Sequence, residues 1–223
     1  MDERLTALRW DQEYRSGRYA DEPPLDFVAD VLTTLDDAPG VRAGVGLYIG
    51  CGNGRNYLPL VDAGLRIYGL DLSFEALRQL AARRATLPLI CGDFRDFAPA
   101  RVLNYVVAIQ VFQHGTAAHV ARYFSNVRTA LRQGGLFFLR VNSASTQIFH
   151  RHTVIERGHG GVTIRYDAGP KEGLAIHFYA RGELAELTAD GFEAVMPPRE
   201  RIIHRTSPQT GFWAQWEAVW RRR

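Results

Sequence analysis

The fold of this chain is decided by residues 45–56, Val-Gly-Leu-Tyr-Ile-Gly-Cys-Gly-Asn-Gly-Arg-Asn. A short apolar run ends at Gly50, and glycines recur at 52 and 54 ahead of a segment that can be helical. This order predicts a strand, a tight loop and a helix start, because glycine adopts backbone angles that a Cβ forbids and lets a ligand approach the main chain. The following helix would present unpaired N–H groups to that ligand. Taken alone, the glycine triplet is also compatible with a simple turn.

The spacing of these glycines distinguishes the loop from two phosphate-binding loops. A dinucleotide fingerprint, G-x-G-x-x-G, would have its third glycine at position 55, where this chain has Arg55. A Walker loop needs Gly-Lys-Ser or Gly-Lys-Thr, and Lys171 is the single lysine of the sequence. The sequence therefore excludes a P-loop and makes a nicotinamide-dependent oxidoreductase the less favoured alternative.

Length, charge and cysteine content narrow the class of protein. The 223 residues suit one α/β domain, and their net charge of +3 comes from scattered arginines with one terminal run, Arg221-Arg222-Arg223. A nucleic-acid-binding protein would carry a basic stripe. Cys51 and Cys91 form no C-x-x-C pair, which argues against a disulfide scaffold and a cysteine zinc site. Because no signal-peptide core and no apolar run of roughly 20 residues is present, we expect a cytoplasmic protein without a membrane partner.

Downstream of the glycine loop, apolar runs alternate with helical patterns. The strand-like runs lie at 65–70, 87–90, 102–109 and 136–141, and the helical patterns at 56–63, 73–84 and 120–131. Such alternation predicts right-handed β-α-β crossovers and a doubly wound, mostly parallel α/β sheet with helices on both faces. A hairpin is predicted around residues 158–161, and two late strands, 192–195 and 212–220, are expected to pair antiparallel at the sheet edge.

Three polar residues follow successive predicted strands: Asp71, Asp93 and Gln110. Ligands of parallel sheets bind at the carboxyl ends of the strands, and a carboxylate about 20 residues past a glycine loop can accept hydrogen bonds from both ribose hydroxyls. Asp93 could accept from an exocyclic amine while Phe94 packs on a flat base. Together these residues predict an adenosine pocket without a phosphate site. The alternative, that both aspartates only cap helices or turns, remains open.

The ordered motifs resemble those of class I S-adenosylmethionine-dependent methyltransferases, over roughly residues 44–220. The matching segments are Gly46-Leu47-Tyr48-Ile49-Gly50-Cys51-Gly52-Asn53-Gly54, Leu70-Asp71-Leu72-Ser73, Gly92-Asp93-Phe94, Leu131-Arg132-Gln133-Gly134-Gly135 and the stretch from Tyr179 to Phe192. The resemblance implies a Rossmann-like, seven-stranded sheet with its last strand antiparallel. It also implies S-adenosylmethionine as methyl donor and S-adenosylhomocysteine as product. We predict a single domain (1–223) with an N-terminal helical cap (1–40), a cofactor-binding core (41–145), an acceptor-side insertion (146–180) and a C-terminal helix and strands (181–223).

The predicted cofactor-binding residues are Tyr14, Tyr48, Gly50, Cys51, Gly52, Asn53, Asn56, Asp71, Leu72, Asp93, Phe94 and Gln110. One of them departs from the family pattern: Tyr48 stands where an acidic residue usually helps to hold the methionine ammonium. We expect either that Tyr14, Gln110 and carbonyls near Gly50 bind the ammonium, or that affinity is reduced. A catalytically silent cofactor-binding or scaffold protein of the same fold is therefore the main alternative.

His114 is the candidate catalytic base, four residues past Gln110. Methyl transfer depends mainly on aligning the acceptor, which can supply roughly 7–11 kcal/mol, and a base is required only for an acceptor that holds a proton at neutral pH. The residue resembles a histidine found at this place in small-molecule methyltransferases. The alternative is that His114 caps the next helix.

The acceptor is predicted to be a small molecule. The fourth strand is not followed by the Asp-Pro-Pro-Tyr or Asn-Pro-Pro-Tyr of amino-directed base methyltransferases, so no nucleic-acid partner is expected. The candidate substrate-binding residues are Trp10, Arg140, Asn142 and Tyr179, and Trp10 with Tyr14 could form either a lid or a structural staple. No metal is predicted, because His150, His152, His159 and His177 lack a helical H-x-x-x-H spacing and accompanying cysteines.

Overall fold

The computed structural model describes residues 3–17, 19, 22–96, 100–207 and 209–223. The helices are α1 (Glu3–Arg15), α2 (Phe27–Asp36), α3 (Pro39–Arg42), α4 (Tyr57–Asp62), α5 (Phe74–Arg83), α6 (Ala117–Ala130) and α7 (Arg181–Ala189). The strands are β1 (Val45–Ile49), β2 (Arg66–Asp71), β3 (Leu89–Cys91), β4 (Leu103–Ile109), β5 (Leu131–Asn142), β6 (His152–Gly158), β7 (Gly161–Tyr166), β8 (Ala175–Phe178), β9 (Phe192–His204) and β10 (Phe212–Arg222). None of the helices in these described segments combines the length and the apolarity needed to cross a membrane.

Seven strands form one sheet in the order β3-β2-β1-β4-β5-β10-β9. The pairs β1–β2 and β2–β3 are parallel, whereas β9 and β10 are antiparallel. The predicted Rossmann-like sheet, with its last strand antiparallel, is confirmed. The last strand is flanked by β5 and β9, so β9 forms the edge of the sheet.

Local sequence signals set several element ends. Gly64 follows α4 with a φ of +78°, the left-handed conformation that glycine tolerates. Ser73 caps α5 as predicted, because its Oγ accepts a hydrogen bond of 3.1 Å from the Ala76 N–H. The helix α6 ends at Ala130, one residue before the end of the predicted helical pattern at 131. The Arg101 and Val102 N–H groups donate to two carbonyls of its last turn, at 2.9 and 3.0 Å, and β5 begins directly after it.

The insertion after β5 forms a second sheet in the order β6-β7-β8, with antiparallel pairing throughout. The predicted hairpin is present: β6 and β7 are joined at residues 158–161, where His159 and Gly160 have φ values of 51° and 80°. The two positive φ values match the tight connection that the glycine-rich sequence predicts.

The late strands are longer than predicted. The strand β9 reaches His204, nine residues past the predicted end at 195, and pairs with β10 along most of its length. Its ladder shifts register across Pro197 and Pro198, where the pairing passes from Met196–Val219 to Arg199–Glu217. Proline lacks an N–H for the ladder, which explains why the irregularity occurs at this point.

The chain divides into two compact units. Unit 1 comprises Met1–Val107 and Thr129–Leu136, and unit 2 comprises Ala108–Arg128 and Phe137–Arg223. In unit 1 the residues Leu35, Leu47 and Leu60 are buried in the core. In unit 2 the rings of Phe124, Phe137 and Trp220 pack together, with ring centroids 5.6–6.5 Å apart. The predicted segment boundaries at 40/41, 145/146 and 180/181 do not coincide with these units and stay a prediction.

Candidate cofactor and acceptor sites

The glycine loop between β1 and α4 has the conformation that its sequence requires. Gly50, Gly52 and Gly54 have φ values of 70°, 53° and 99°, all in the region that side chains disfavour. The loop is fixed to β2, because the Gly50 and Cys51 N–H groups both donate to the Leu70 carbonyl, at 2.7 and 3.1 Å. At Gly52 a Cβ would also clash with the Tyr14 hydroxyl. The backbone angle therefore favours glycine at this position, and a side chain there would require the Tyr14 hydroxyl to move.

Asp71 ends β2 and contacts the glycine loop directly. Its Oδ2 accepts a hydrogen bond of 2.7 Å from the Gly52 N–H, and its Oδ1 accepts one of 2.8 Å from the Ser73 N–H. Burial raises the pKa of Asp71 from 3.8 to about 6, although these backbone donors oppose the rise. The group is therefore mainly a carboxylate at pH 7. Each oxygen keeps acceptor capacity for one further donor, which fits the two hydroxyls of a ribose.

Three other predicted residues lie around this carboxylate. Burial raises the pKa of the Tyr14 phenol, and the charge of Asp71 and the nearby Cys51 and Tyr48 raise it further. Tyr48 is 1% exposed, and its ring packs edge-on against Tyr57 at a centroid distance of 5.9 Å. The structure thus brings Tyr14, Cys51 and Asp71 together with Tyr48. Contact of Tyr48 with the methionine ammonium stays a prediction.

Asp93 follows β3 and makes a turn like that of Asp71. Its Oδ1 accepts a hydrogen bond of 2.8 Å from the N–H of Arg95, two residues on, just as Asp71 accepts from Ser73. The Arg95 guanidinium also binds both Asp93 oxygens, with Nε 3.0 Å from each, and the two side chains are 9% and 12% exposed. Phe94 is buried. Contact of Asp93 and Phe94 with adenine stays a prediction, and sequence reasoning missed Arg95.

Two predicted cofactor residues support the loop itself. The Asn56 Oδ1 accepts a hydrogen bond of 2.9 Å from the Leu25 N–H, which ties the start of α4 to the segment before α2. Asn53 is buried, and its carbonyl accepts one of 2.9 Å from Arg83. These contacts give both residues a structural role, and their contact with the cofactor stays a prediction. Leu72, in the turn after β2, remains partly exposed.

Gln110 and His114 belong to unit 2 and are held by one short turn. Gln110 has a φ of 59°, which is unusual for a residue with a Cβ, and its N–H donates to the Arg140 carbonyl at 2.7 Å. The His114 Nε2 lies 3.2 Å from the Gln110 carbonyl. Because a carbonyl only accepts, Nε2 carries the proton. Burial, assisted by the charge of Lys171, lowers the pKa of His114 to about 3. A base of that strength is neutral at pH 7 but holds an abstracted proton weakly, which disfavours the predicted general-base role.

Two of the predicted acceptor residues are buried and contact other protein groups. Tyr179 is fully buried and its hydroxyl donates to the Phe112 carbonyl. The Arg140 guanidinium is buried and forms an ion pair with Glu217, with Nε 3.4 Å from a carboxylate oxygen. Acceptor contact by either side chain stays a prediction. Asn142 is partly exposed, and its N–H donates to the Gln113 Oε1 at 2.9 Å. Acceptor contact by Asn142 stays a prediction.

Trp10, a candidate acceptor contact, and His177, for which no metal was predicted, both contact other side chains. Trp10 lies on α1 and contacts the Tyr14 ring, with centroids 6.5 Å apart. His177 is buried between Thr163 and Glu183, with ring nitrogens 2.8 and 3.0 Å from their side-chain oxygens. Within the described ranges, no three His, Cys, Asp or Glu side chains are grouped to hold a metal ion.

Part of the chain matches a known protein family. Residues 47–135 match the family described as "Methyltransferase domain". Over 200 residues, 87% of this chain and 91% of the relative, the sequence is 24% identical to an uncharacterized methyltransferase of Anoxybacillus flavithermus. The matched range contains the glycine loop, the Asp71 turn and the Asp93 turn. The predicted recognition of a methyltransferase is thereby confirmed.

Solved structures share the fold at low sequence identity. A 1,6-didemethyltoxoflavin-N1-methyltransferase of Burkholderia thailandensis, with bound 1,6-didemethyltoxoflavin and S-adenosylhomocysteine, superposes with a TM-score of 0.66, at 20% identity over 99% of this chain and 89% of that chain. The magnesium protoporphyrin IX methyltransferase of Synechocystis, with bound S-adenosylmethionine, gives a TM-score of 0.64 at 15% identity over 98% and 97%. These likenesses establish the fold of the chain.

Proposed function

We propose that this chain, a class I S-adenosylmethionine-dependent methyltransferase, transfers a methyl group from that cofactor to a small-molecule acceptor by in-line displacement. The observation that supports cofactor binding best is the buried Asp71 carboxylate, held by N–H groups of Gly52 and Ser73 beside a loop that only glycine permits. A buried carboxylate with a raised pKa has to find donors for its free lone pairs, and two ribose hydroxyls supply them.

The residues of this chain act mainly by holding and orienting. When bound, the cofactor supplies a methyl group on a positively charged sulfur, which is an activated leaving group. Asp71 fixes the ribose, and we assign Asp93 to the adenine amine. Alignment then provides most of the rate enhancement, since positioning can supply roughly 7–11 kcal/mol. Tyr14 and carbonyls near Gly50 remain our candidates for the cofactor ammonium. Gln110 stays a predicted cofactor residue.

We assign His114 to orientation of the acceptor in its neutral form. Its Nε2–H is engaged by Gln110, and its pKa of about 3 keeps the ring uncharged at pH 7. A neutral imidazole can hold a polar group of an acceptor through Nδ1 without storing a proton. This assignment suits acceptors that are already nucleophilic at neutral pH, such as unprotonated ring nitrogens or thiolates.

Two observations support a small acceptor, one on this chain and one on a protein with the same fold. The scattered arginines form no basic stripe of the kind that tracks nucleic-acid phosphates. The 1,6-didemethyltoxoflavin-N1-methyltransferase, which has the same fold, has a small heterocycle bound. A cytoplasmic, reducing location is part of the same proposal, because both Cys51 and Cys91 are free thiols.

Two measurements test the proposal. Calorimetry with S-adenosylhomocysteine should give binding at micromolar concentration, whereas binding of NAD instead would support an oxidoreductase and overturn our reading. Incubation with methyl-labelled S-adenosylmethionine and a panel of phenols, thiols and nitrogen heterocycles should transfer label to at least one compound. Tight binding with no transfer to any panel member, RNA or protein would indicate the silent binding protein.

A further inference from the structure

Asp11, on α1, reaches the start of α5 across more than sixty residues of sequence. Its Oδ1 accepts a hydrogen bond of 2.6 Å from the Ser73 hydroxyl and one of 3.0 Å from the Glu75 N–H. Ser73 in turn accepts from the Ala76 N–H. The first-turn N–H groups of α5 are thus satisfied jointly by its own cap and by a carboxylate from α1. A negative charge at this end of a helix is also stabilised by the helix dipole.

Ser73, which makes this contact, lies two residues after Asp71, the carboxylate that we assign to the ribose. The Ser73 hydroxyl binds Asp11, while the Ser73 N–H binds Asp71 at 2.8 Å. Asp11 is held firmly, since its side chain is only 14% exposed. Any displacement of Asp11 therefore shifts the residue whose amide fixes Asp71.

The helix α1 also covers the glycine loop. One turn beyond Asp11, the Tyr14 hydroxyl occupies the space beside Gly52 that a Cβ would need. The Tyr14 carbonyl accepts a hydrogen bond of 3.0 Å from the Gln79 side chain of α5, which gives α1 a second attachment to that helix. Asp71 itself is 8% exposed. Asp71 and Gly52 are therefore both largely shielded from solvent.

We propose that Asp11 is a positioning residue for cofactor binding: through Ser73 it fixes the turn that carries Asp71, and it seats α1 with Tyr14 over the glycine loop. The inference rests on the proposed function, because it assigns Asp71 to the ribose. Asp11 itself touches no substrate. Its loss lets α1 detach and lets the Asp71 turn relax, so bound cofactor is released faster.

The test compares Asp11→Ala and Asp11→Asn with the neighbouring exposed position Gln12→Ala as control. S-adenosylhomocysteine affinity is measured by calorimetry, and seating of α1 by the rate of tryptic cleavage after Arg9 or Arg15. Removing two hydrogen bonds to a carboxylate should weaken binding about tenfold and speed cleavage in α1, with or without the ligand. Asp11→Asn keeps an acceptor oxygen and should restore most of the affinity for S-adenosylhomocysteine and most of the resistance of α1 to trypsin. Gln12→Ala should match the wild type.

A double-mutant cycle with Ser73→Ala tests the route through Ser73. If Asp11 acts through the Ser73 hydroxyl, the two losses of affinity overlap and the double variant is little worse than either single one. Strict addition of the two losses, or an Asp11→Ala protein with wild-type affinity and cleavage, would overturn the inference. Absence of S-adenosylhomocysteine binding by the wild type would instead sink the proposed function, while cleavage of the ligand-free proteins still tests the seating of α1.

Discussion

The turns after β2 and β3 use the same local geometry and differ in one partner. Asp71 and Asp93 each accept a hydrogen bond of 2.8 Å from the N–H group two residues on. The second oxygen of Asp71 meets the Gly52 N–H, a neutral donor, whereas both oxygens of Asp93 meet the guanidinium of Arg95. An identical turn therefore leaves one carboxylate with its charge uncompensated and neutralises the other.

This difference indicates that the two carboxylates contribute differently to cofactor binding. A buried carboxylate that is held only by amide N–H groups is stabilised by further hydrogen-bond donors, and two ribose hydroxyls can supply them. A carboxylate already paired with arginine gains less from an additional donor, although it still has lone pairs for one. We therefore expect Asp71 to contribute affinity and Asp93 to contribute order in the adenine turn.

The largest effect should follow from Asp71→Ala. It removes two charge-assisted hydrogen bonds to the ribose, each of about 1.5–3 kcal/mol, so S-adenosylhomocysteine affinity should fall at least about 100-fold. Asp93→Ala should cost about tenfold or less, because Arg95 has already reduced the net charge there. Calorimetry on both variants, with the exposed Asp37→Ala as control, measures the contrast. Equal losses of affinity in Asp71→Ala and Asp93→Ala would contradict the proposed difference between the two carboxylates.

Arg95→Gln should change stability more than affinity. It leaves the Asp93 carboxylate, 12% exposed, without its counter-charge, and we expect the free energy of unfolding to fall by about 2 kcal/mol. Arg95→Lys keeps the charge but not the two-pronged geometry and should recover part of that loss. Chemical denaturation of the three proteins gives the measurement. Unchanged stability in Arg95→Gln would contradict the assigned role.

Cofactor affinity should depend on pH through Asp71. The pKa of Asp71 is raised from 3.8 to about 6 in the folded protein. Between these pH values the folded chain holds a proton that the unfolded chain has lost, so the free energy of unfolding falls as the pH rises through this window. A ribose needs the carboxylate form, so affinity should reach its maximum at about pH 7 and fall about tenfold per pH unit well below the pKa of about 6. Asp71→Asn should show weak binding with no such slope. A wild-type affinity that is level down to about pH 5 would refute this role of Asp71.

The turn after β4, which holds His114, contains no carboxylate. We expect the smallest effect of pH on protonation in this turn. Because the pKa of His114 is lowered to about 3, its ring should remain neutral from about pH 5 to 8. Nitrogen-15 NMR of the imidazoles, assigned with His114→Asn, should show one non-titrating ring with its proton on Nε2. Titration near pH 6.5 would restore the general-base assignment.

Much of the fold follows from local sequence chemistry. Gly64, Ser73 and the 158–161 turn each end or join elements through backbone preferences that a few neighbouring residues determine, and those predictions agree with the structure. The strand β9 was predicted too short, because two prolines and the charges after them interrupt its apolar pattern. Its pairing with β10, which no local signal contains, continues the strand to His204.

The part of the candidate site that the sequence predicts correctly is the part that depends on the spacing of residues along the chain. The distance of Asp71 from the glycine loop places it at the neighbouring strand end, and the structure finds it bonded to Gly52. Arg95 and Asp11 were missed, since the choice of a partner for a carboxylate depends on tertiary packing. The low pKa of His114 is likewise a consequence of burial, which its sequence neighbours do not reveal.

The irregular ladder at Pro197 and Pro198 bears on how the protein behaves at high concentration. The strand β9 is an open edge of the large sheet and exposes the apolar side chains of Val195 and Ile202. An edge of this kind invites another chain to add a strand and begin aggregation. Two consecutive residues without N–H groups, followed by the charges of Arg199–Arg201, interrupt the row of donors that an incoming strand would need. The feature that shifts the ladder thus also protects the exposed end of the sheet from intermolecular growth.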